Sequence, residues 1–247
     1  MKTVAIIQAR MGSTRLPGKV MKNLSGKTVL SQVIARVKAC PRVDEVVVAT
    51  TARPEDAIIV EESHRCGVKS FRGSQEDVLS RYYLAAREAG AETVVRVTAD
   101  CPLFDPQVLE RMLSQFQTLS TGGQAPDYLS NTLKRTFPRG LDAEIFTMAA
   151  LERAHREAVA PFDREHVTPY IYRHPESFVL QNFANPVDLS HHRWTLDTAA
   201  DWRLLEAVYA ALNRQGTIFT TQAVLDLLES RPELVALNAH VEQKHTA

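Results

Sequence analysis

Residues 5–21 read AIIQARMGSTRLPGKVM, in which an apolar, strand-like run leads into a loop that ends in Gly-Lys. A loop of this kind after a buried strand is typical of phosphate-binding sites. The Walker A pattern has four residues between its glycines and a Ser or Thr after the lysine, whereas five residues separate Gly12 from Gly18 and Val20 follows Lys19. The dinucleotide pattern G-x-G-x-x-G does not match either. The stretch therefore predicts a phosphate-binding loop of another type.

The side chains of this loop are suited to a polyphosphate. Three cations, Arg10, Arg15 and Lys19, stand beside the hydroxyl donor Ser13, and Gly12 permits close approach of the backbone. Residues 1–43 contain nine Lys or Arg and no Asp or Glu, so the rest of the chain has 20 basic and 29 acidic residues. Such segregation concentrates positive charge near the loop. It favours the binding of a multiply charged anion over the alternative interpretation, in which the stretch is a surface turn with scattered cations.

The composition is that of an ordinary globular protein, with 45% hydrophobic and 23% charged residues in a chain of 247. We expect a single domain over residues 1–247. The formal net charge of zero argues against nucleic-acid binding, and no stretch approaches the length of a membrane span. The odd number of cysteines, without metal-binding spacing, is typical of the reducing cytoplasm, where we expect the protein to act.

The order of apolar runs predicts an α/β fold with a mostly parallel sheet covered by helices on both faces. Strands are predicted over residues 45–51, 68–73 and 93–100, alternating with helices over 27–39, 55–66 and 75–89 and one beginning near Asp105. Residues 118–192 are predicted to form an excursion on the substrate side, beginning with a long loop over 118–140. Within it, strands over 141–146 and 177–184 and helices over 148–158 and 164–173 are expected. Two terminal helices are predicted over 201–215 and 220–229.

Two carboxylates are candidate magnesium ligands. Asp100 ends the strand VVRVTAD, and Asp197 follows a short β-like run. Because ligands of open α/β sheets bind at the carboxyl ends of the strands, both side chains are expected at one edge. Mg²⁺ favours a few carboxylates together with substrate phosphate and water. Helix capping is the alternative role for either residue taken alone.

Several other polar residues have both a binding and a structural interpretation. Asp142 and Glu144 alternate along a predicted strand and would face one side together, either toward sugar hydroxyls or toward solvent. Ser74 suits either base recognition or helix capping, and His166 is a candidate ligand contact. The adjacent His191 and His192 would point apart on a strand, which argues against a zinc site with them. Carboxylates near Cys101 would raise the pKa of its thiol and argue against a nucleophile.

Taken together, the motifs resemble the sugar cytidylyltransferases, and most closely the branch named for spore-coat polysaccharide biosynthesis protein F. The resemblance runs from residue 3 to about residue 205 and rests on segments that occur in the same order. They are IIQARMGSTRLPGKVM, VVVATT, FRGSQEDVLSRYY, VTADCPLFDP, PRGLDAEIF, REHVTPYI and RWTLDTAADW.

The resemblance implies a Rossmann-like nucleotidyltransferase fold of the glycosyltransferase A type and a reaction in which a sugar oxygen attacks the α-phosphate of CTP. In that family pattern, Arg10 and Lys19 bind the triphosphate, with Ser13 and Arg15 close by. Asp100 and Asp197 match the two Mg²⁺ ligands. The resemblance also implies a sugar acceptor contacted by the GLDAEIF segment, a role in polysaccharide biosynthesis and a possible homodimer.

Two alternative functions remain compatible with the sequence. A glycosyltransferase of related fold would bind a finished nucleotide-sugar, although the D-x-D metal motif usual in such enzymes lacks its first Asp in TAD, residues 98–100. A nucleotide-binding protein without turnover is the other alternative. The presence of both candidate metal ligands and of the loop cations favours an enzyme.

Overall fold

A computed structural model describes residues 1–123, 125–214 and 217–242 of the chain. Its centre is a seven-stranded mixed sheet, and a separate two-stranded hairpin lies beside it. The strands in chain order are β1 (Thr3–Gln8), β2 (Asn23–Leu24), β3 (Lys27–Thr28), β4 (Glu45–Thr51), β5 (Lys69–Gly73), β6 (Thr93–Thr98), β7 (Tyr128–Ser130), β8 (Glu144–Thr147) and β9 (Leu180–Asn182). β2 and β3 form the hairpin, and the other strands form the sheet.

Helices connect the strands and cover the sheet. They are α1 (Val29–Lys38), α2 (Ala57–Arg65), α3 (Val78–Glu88), α4 (Pro106–Thr121), α5 (Met148–Glu157), α6 (Pro161–His166), α7 (Pro169–Tyr172), α8 (Ala199–Leu212), α9 (Thr221–Ser230) and α10 (Glu233–Ala236). Short 3₁₀ turns occupy Lys19–Met21 and Pro54–Asp56. The predicted mostly parallel α/β sheet flanked by helices is confirmed.

The strand order β5-β4-β1-β6-β8-β7-β9 indicates at which point of the sheet a ligand is expected to bind. β5, β4, β1 and β6 run parallel, whereas β8 is antiparallel to both β6 and β7. The chain moves outward from β1 through β4 to β5 and then returns to the other side of β1 with β6. The switch in direction therefore lies between the carboxyl ends of β1 and β6, where open α/β sheets bind their ligands.

β1 shows why the strands read as continuous apolar runs. Val4 and Ile6 pack on one face of the sheet with residues of α3 and α5. Ala5 and Ile7 pack on the other face with residues of α1, α4 and α8. Successive side chains of a strand point to opposite faces, so a strand covered on both sides must be apolar throughout.

The structure corrects four predictions of secondary structure. α4 continues to Thr121 and β7 lies within the predicted loop over 118–140, where only three residues form the strand. The predicted helix over 164–173 is two short helices, α6 and α7, separated at Val167. β8 begins at Glu144, which leaves Asp142 outside the strand. The predicted helix over 201–215 begins at Ala199 and ends at Leu212, and residue 215 lies outside the described residues.

His191 and His192 do not point apart, as a strand would require. They lie in a turn, and their ring centroids are 4.1 Å apart. Within residues 1–123, 125–214 and 217–242, no group of three or more His, Cys, Asp or Glu side chains is arranged to hold a metal ion. No helix in the described part of the chain is long and apolar enough to cross a membrane.

Gly140 allows two distant segments to cross in close contact. Its φ is 105°, and an added Cβ would lie 2.6 Å from the carbonyl carbon of Trp194. Backbone hydrogen bonds flank this crossing, because Arg139 N donates to His192 O at 3.0 Å and Trp194 N donates to Arg139 O at 2.7 Å. The crossing fixes the segment that leads to Asp197.

We therefore expect Gly140→Ala to lower the free energy of unfolding by about 2–4 kcal/mol, because it adds both φ strain and a backbone clash. Urea denaturation measures this change. Gly90→Ala is the matched control, since Gly90 has φ 63° but nothing within 4 Å of an added Cβ. Equal losses of unfolding free energy in the two variants would show that the close crossing does not contribute to stability.

Candidate active site

The loop after β1 spans residues 9–18 and is anchored at both ends. Near its start, Met11 N donates to Oδ1 of the buried Asp56 at 2.7 Å. At its end, Gly18 adopts φ 66° and donates its N–H to Met11 O at 3.1 Å, and Val20 is buried in the core. Asp56 was missed by the sequence analysis because this contact joins residues that are distant in the chain.

Between these anchors, the loop presents backbone donors. The N–H groups of Gly12, Thr14 and Arg15 donate to no protein acceptor within the described part of the chain. Ser13 Oγ accepts a long hydrogen bond of 3.4 Å from Leu16 N. Free amides in a turn, with cationic side chains around them, are suited to binding phosphate oxygens.

Asp100 and Asp197 converge on one point, which is occupied by the ammonium group of Lys19. Lys19 Nζ lies 2.7 Å from Asp100 Oδ2 and 2.8 Å from Asp197 Oδ1. Arg15 approaches Asp197 Oδ2 to 3.1 Å. The loop cations and the two carboxylates therefore form one cluster, although they come from three distant parts of the chain. The β-like run predicted before Asp197 is not a strand, since only Arg193 forms an isolated bridge there, to Arg139.

Backbone and side-chain contacts hold the two carboxylates together. Leu196 N donates to Asp100 O at 2.8 Å, which ties the segment just before Asp197 to the backbone of Asp100. Thr98 Oγ1 donates to Asp100 Oδ1 at 2.6 Å. Asp201 forms a capping box with Thr198 at the start of α8 and accepts from Asp197 N at 3.0 Å. The capping role that the sequence left open for Asp197 thus belongs to Thr198 and Asp201.

The ion pair between Lys19 and Asp197 keeps both groups charged at neutral pH. Burial acts to lower the pKa of Lys19, but the carboxylates of Asp100 and Asp197 outweigh it and raise that pKa above its ordinary value. Burial acts to raise the pKa of Asp197, but Lys19 and Arg15 outweigh it and lower that pKa below its ordinary value. Each partner therefore favours the charged form of the other.

These shifts predict a pH-dependent contribution to stability. The contribution of Asp197 is complete above its ordinary pKa of 3.8 and is lost as the pH falls through the lower pKa of the folded state. The contribution of Lys19 is complete below 10.5 and is lost as the pH rises through the higher pKa of the folded state. Urea melts across pH should show a smaller loss below 3.8 in Asp197→Asn than in the wild type. An equal loss of stability at low pH in Asp197→Asn and in the wild type would contradict this assignment.

A cavity of about 290 Å³ lies at this edge of the sheet. It brings together most of the residues predicted from the sequence: Arg10, Gly12, Ser13, Arg15, Lys19, Asp100, His166 and Asp197. It is also lined by residues that the sequence analysis missed, among them Gln8, Arg81 and Glu165. Ser74, Asp142 and Glu144 are not among the residues that line this cavity.

Ser74 is linked to the cavity through Arg81. Ser74 Oγ accepts from Asp77 N at 3.0 Å, and Ser74 O accepts from Arg81 Nη1 at 2.6 Å. Asp77 in turn caps α3 and accepts two hydrogen bonds from Arg164. In this structure Ser74 therefore orients a buried arginine of the cavity wall and supports the start of α3.

Asp142 lies outside the cavity in a forked ion pair. Arg135 donates to its two carboxylate oxygens at 2.6 and 2.8 Å. Burial raises the pKa of the nearby Cys101 thiol well above its ordinary value, and Asp100 and Asp142 raise it further. The predicted direction of this shift is confirmed, and it keeps Cys101 protonated at neutral pH.

Glu144 is the acceptor at the centre of a buried network. Its carboxylate accepts from Tyr128 Oη at 2.6 Å and from Thr168 Oγ1 at 2.5 Å, and it also pairs with Arg96. Arg96 Nη2 donates to Gln8 Oε1 at 3.2 Å, and Gln8 lines the cavity. Glu144 therefore connects β6, β7 and β8 with one wall of the cavity.

A strained turn carries His166 at the cavity wall. The next residue, Val167, has φ 76° and ψ −58°, and Thr168 N donates to His166 O at 3.0 Å, which is the geometry of a γ-turn. A β-branched residue rarely adopts positive φ. Burial lowers the pKa of His166 below 6.5, although Glu165 acts in the opposite direction. His166 is therefore neutral at pH 7.

The oxygen atoms that converge on Lys19 Nζ have the chemistry that Mg²⁺ prefers. Mg²⁺ is usually bound by one or two carboxylates, with substrate phosphates and water as its remaining ligands. Asp100 and Asp197 supply two carboxylates that reach one cation, as their distances to Lys19 show. The donor set fits this metal ion, and no third protein ligand is required.

Comparison with known proteins shows the class of protein to which this α/β chain belongs. The cytidylyltransferase family profile matches residues 4–229. The chain is 35% identical to an uncharacterized protein of Methanocaldococcus jannaschii, over 99% of this chain and 97% of the relative. It is 31% identical to the spore coat polysaccharide biosynthesis protein SpsF of Bacillus subtilis, over 92% and 94%.

A solved cytidylyltransferase from Leptospira borgpetersenii superposes with a TM-score of 0.90 at 33% identity, covering 99% of this chain and 100% of that one. The chain belongs to the cytidylyltransferase family. The resemblance noted in the sequence is thereby confirmed, and the protein is a nucleotidyltransferase.

Proposed function

We propose that this protein transfers CMP from CTP to a sugar, with release of pyrophosphate, in the synthesis of a surface polysaccharide or glycan. The observation that carries the proposal is the convergence of Asp100 and Asp197 beside the cationic loop. Membership of the cytidylyltransferase family supports CTP as the nucleotide. The name of the Bacillus subtilis relative supports a carbohydrate pathway. An acidic sugar is the acceptor we propose.

The loop would bind the triphosphate. Arg10, Arg15 and Lys19 would orient the phosphates and offset the charge of the departing pyrophosphate, together with Ser13 and the free amide of Gly12. Such transfers depend on positioning and on charge stabilisation more than on covalent chemistry by the protein. In this reaction the sugar hydroxyl loses its proton and its oxygen forms a bond to the α-phosphorus. The bond from that phosphorus to the oxygen bridging the α- and β-phosphates breaks, and pyrophosphate leaves with that oxygen.

Asp100 and Asp197 would hold Mg²⁺ at the α-phosphate. The bound ion supplies charge neutralisation and polarisation of the phosphoryl oxygens. Thr98 keeps the Asp100 carboxylate in its orientation by donating to Oδ1. Arg193 performs the same task at Asp197, where its Nη2 lies 2.9 Å from Oδ2.

The acceptor would lie against the wall that carries His166. A neutral imidazole can exchange hydrogen bonds with a sugar hydroxyl without repelling other cations. Asp142 and Glu144 remain candidate substrate-binding residues, and Ser74 remains a candidate nucleotide contact. For Glu144 and Ser74, the contacts described above favour action through Arg96 and Arg81, respectively.

The test is pyrophosphate release with each of the four nucleoside triphosphates, Mg²⁺ and a panel of acidic sugars. Release with CTP, dependent on one sugar, is the expected result. Consumption of a nucleotide-sugar without activity on any triphosphate would instead indicate a glycosyltransferase. CTP binding without pyrophosphate release across the panel would indicate a protein that binds nucleotide without turnover.

We also propose that the protein acts in the cytoplasm as a homodimer, without nucleic acid or membrane as a partner. The neutral composition supports the absence of nucleic-acid binding. Light scattering coupled to size-exclusion chromatography measures the oligomeric state. A monomer at micromolar concentration would contradict the homodimer.

A further inference from the structure

The candidate metal site is already balanced in charge without a metal ion. The ion-paired cluster consists of three carboxylates, Asp100, Asp197 and Asp201, and three cations, Arg15, Lys19 and Arg193. Lys19 Nζ contacts both candidate metal ligands, and its side chain is only 12% exposed. A divalent cation that entered alone would have to displace this ammonium group and would leave excess positive charge in a partly desolvated site.

The triphosphate changes this balance. Its negative charges compensate both the divalent ion and the loop cations, and its oxygens offer Lys19 new partners. Lys19 can exchange partners without movement of the loop, because Gly18 and Val20 hold the backbone on either side of it. The lysine side chain is a flexible four-carbon stem with a compact charge at its end.

We propose that Lys19 holds Asp100 and Asp197 in the nucleotide-free enzyme and that the metal ion enters only together with the triphosphate, which withdraws Lys19. Lys19 is thus a positioning residue for the two carboxylates before it becomes a phosphate ligand. The inference rests on the proposed metal site and concerns the order in which the site is filled. It predicts weak binding of metal alone and strong coupling between metal and nucleotide.

The test measures Mn²⁺ binding without nucleotide, by the electron paramagnetic resonance signal of free Mn²⁺. Lys19→Met should bind Mn²⁺ about tenfold or more tightly than the wild type, because the competing ammonium group is removed. Arg10→Met is the matched control, since Arg10 lines the same cavity but forms no ion pair with either carboxylate among the described residues. Its affinity should change by less than about threefold.

A double variant locates the ion. Adding Asp100→Asn to Lys19→Met should abolish the gain in affinity, because one of the two carboxylates is lost. Equal Mn²⁺ affinities of the wild type and Lys19→Met would overturn the proposal. An equal gain in Arg10→Met would also overturn it, because net charge rather than displacement of Lys19 would then control binding.

Thermal unfolding of the wild type gives a readout that does not depend on any variant. Mg²⁺ alone should leave the melting temperature nearly unchanged, whereas Mg²⁺ with CTP should raise it by more than CTP alone. A large increase with Mg²⁺ alone would contradict the proposed order. None of these measurements requires the sugar acceptor, so failure to detect pyrophosphate release leaves them interpretable.

Discussion

Replacing Asp100 with asparagine is expected to lower kcat/KM by about 10³-fold or more, because the change removes one of two carboxylates that would hold the metal ion. The fold should persist, since the asparagine oxygen can still accept from Thr98 and the backbone bond between Leu196 and Asp100 does not involve the side chain. Pyrophosphate release with CTP, Mg²⁺ and the acceptor measures the effect.

Asp226→Asn is the control for Asp100→Asn. Asp226 lies on α9, is exposed and is absent from the lining of the cavity. Its replacement should leave kcat/KM unchanged. Near-normal turnover of Asp100→Asn with Mg²⁺ would remove Asp100 from the proposed metal site. Unchanged melting temperatures in both variants would show that the loss is catalytic rather than structural.

Replacing Glu144 with glutamine is expected to lower the free energy of unfolding by about 3 kcal/mol, because Arg96 would keep its charge without its carboxylate partner. The side chains of Arg96 and Glu144 are only 17% and 9% exposed. Burial acts to lower the pKa of Arg96, but Glu144 outweighs it and raises that pKa above its ordinary value. In Glu144→Gln the guanidinium loses this support but still stays charged at neutral pH, because its ordinary pKa is very high. Denaturation in urea measures the change, and kcat/KM should fall as the Arg96 contact to Gln8 loosens.

Two further variants test whether the loss of stability comes from the ion pair between Glu144 and Arg96. Glu157→Gln removes ion pairs with Arg153 and Arg156 that are partly exposed, and it should lower the free energy of unfolding by much less than Glu144→Gln. The double variant Glu144→Gln with Arg96→Gln should lose less unfolding free energy than the two single variants lose together, because it leaves no unpaired charge. If Glu144→Gln is no less stable than Glu157→Gln, the network around Glu144 has no structural importance.

The parts of the fold predicted from the sequence were those with strong local signals. Buried strands such as β1, β4 and β6 have continuous apolar runs, and α1 has its apolar residues at helical spacing. Asp105 begins α4 as predicted, because its side chain caps the helix through Gln107 N. β7 was missed because it has only three residues in a polar stretch and depends on pairing with β8 and β9.

The split between α6 and α7 was also beyond local analysis. Val167 has no intrinsic preference for positive φ, yet its side chain is fully buried and its neighbour Thr168 donates to Glu144. Such strain persists only where the surrounding structure determines the conformation. A helical pattern over 164–173 could therefore not reveal the turn that places His166 at the cavity wall.

The sequence by itself determined the fold class, because apolar periodicity is a local property of the chain, and its motifs carried the resemblance to the family. It singled out the loop cations, Asp100 and Asp197 individually as candidate site residues. Only the tertiary structure decided that Lys19 lies between Asp100 and Asp197, that Asp56 anchors the loop and that Glu144 belongs to a buried network. Those contacts join residues far apart in the chain, and their partners are selected by burial and by the need to pair buried charge, which no local pattern encodes.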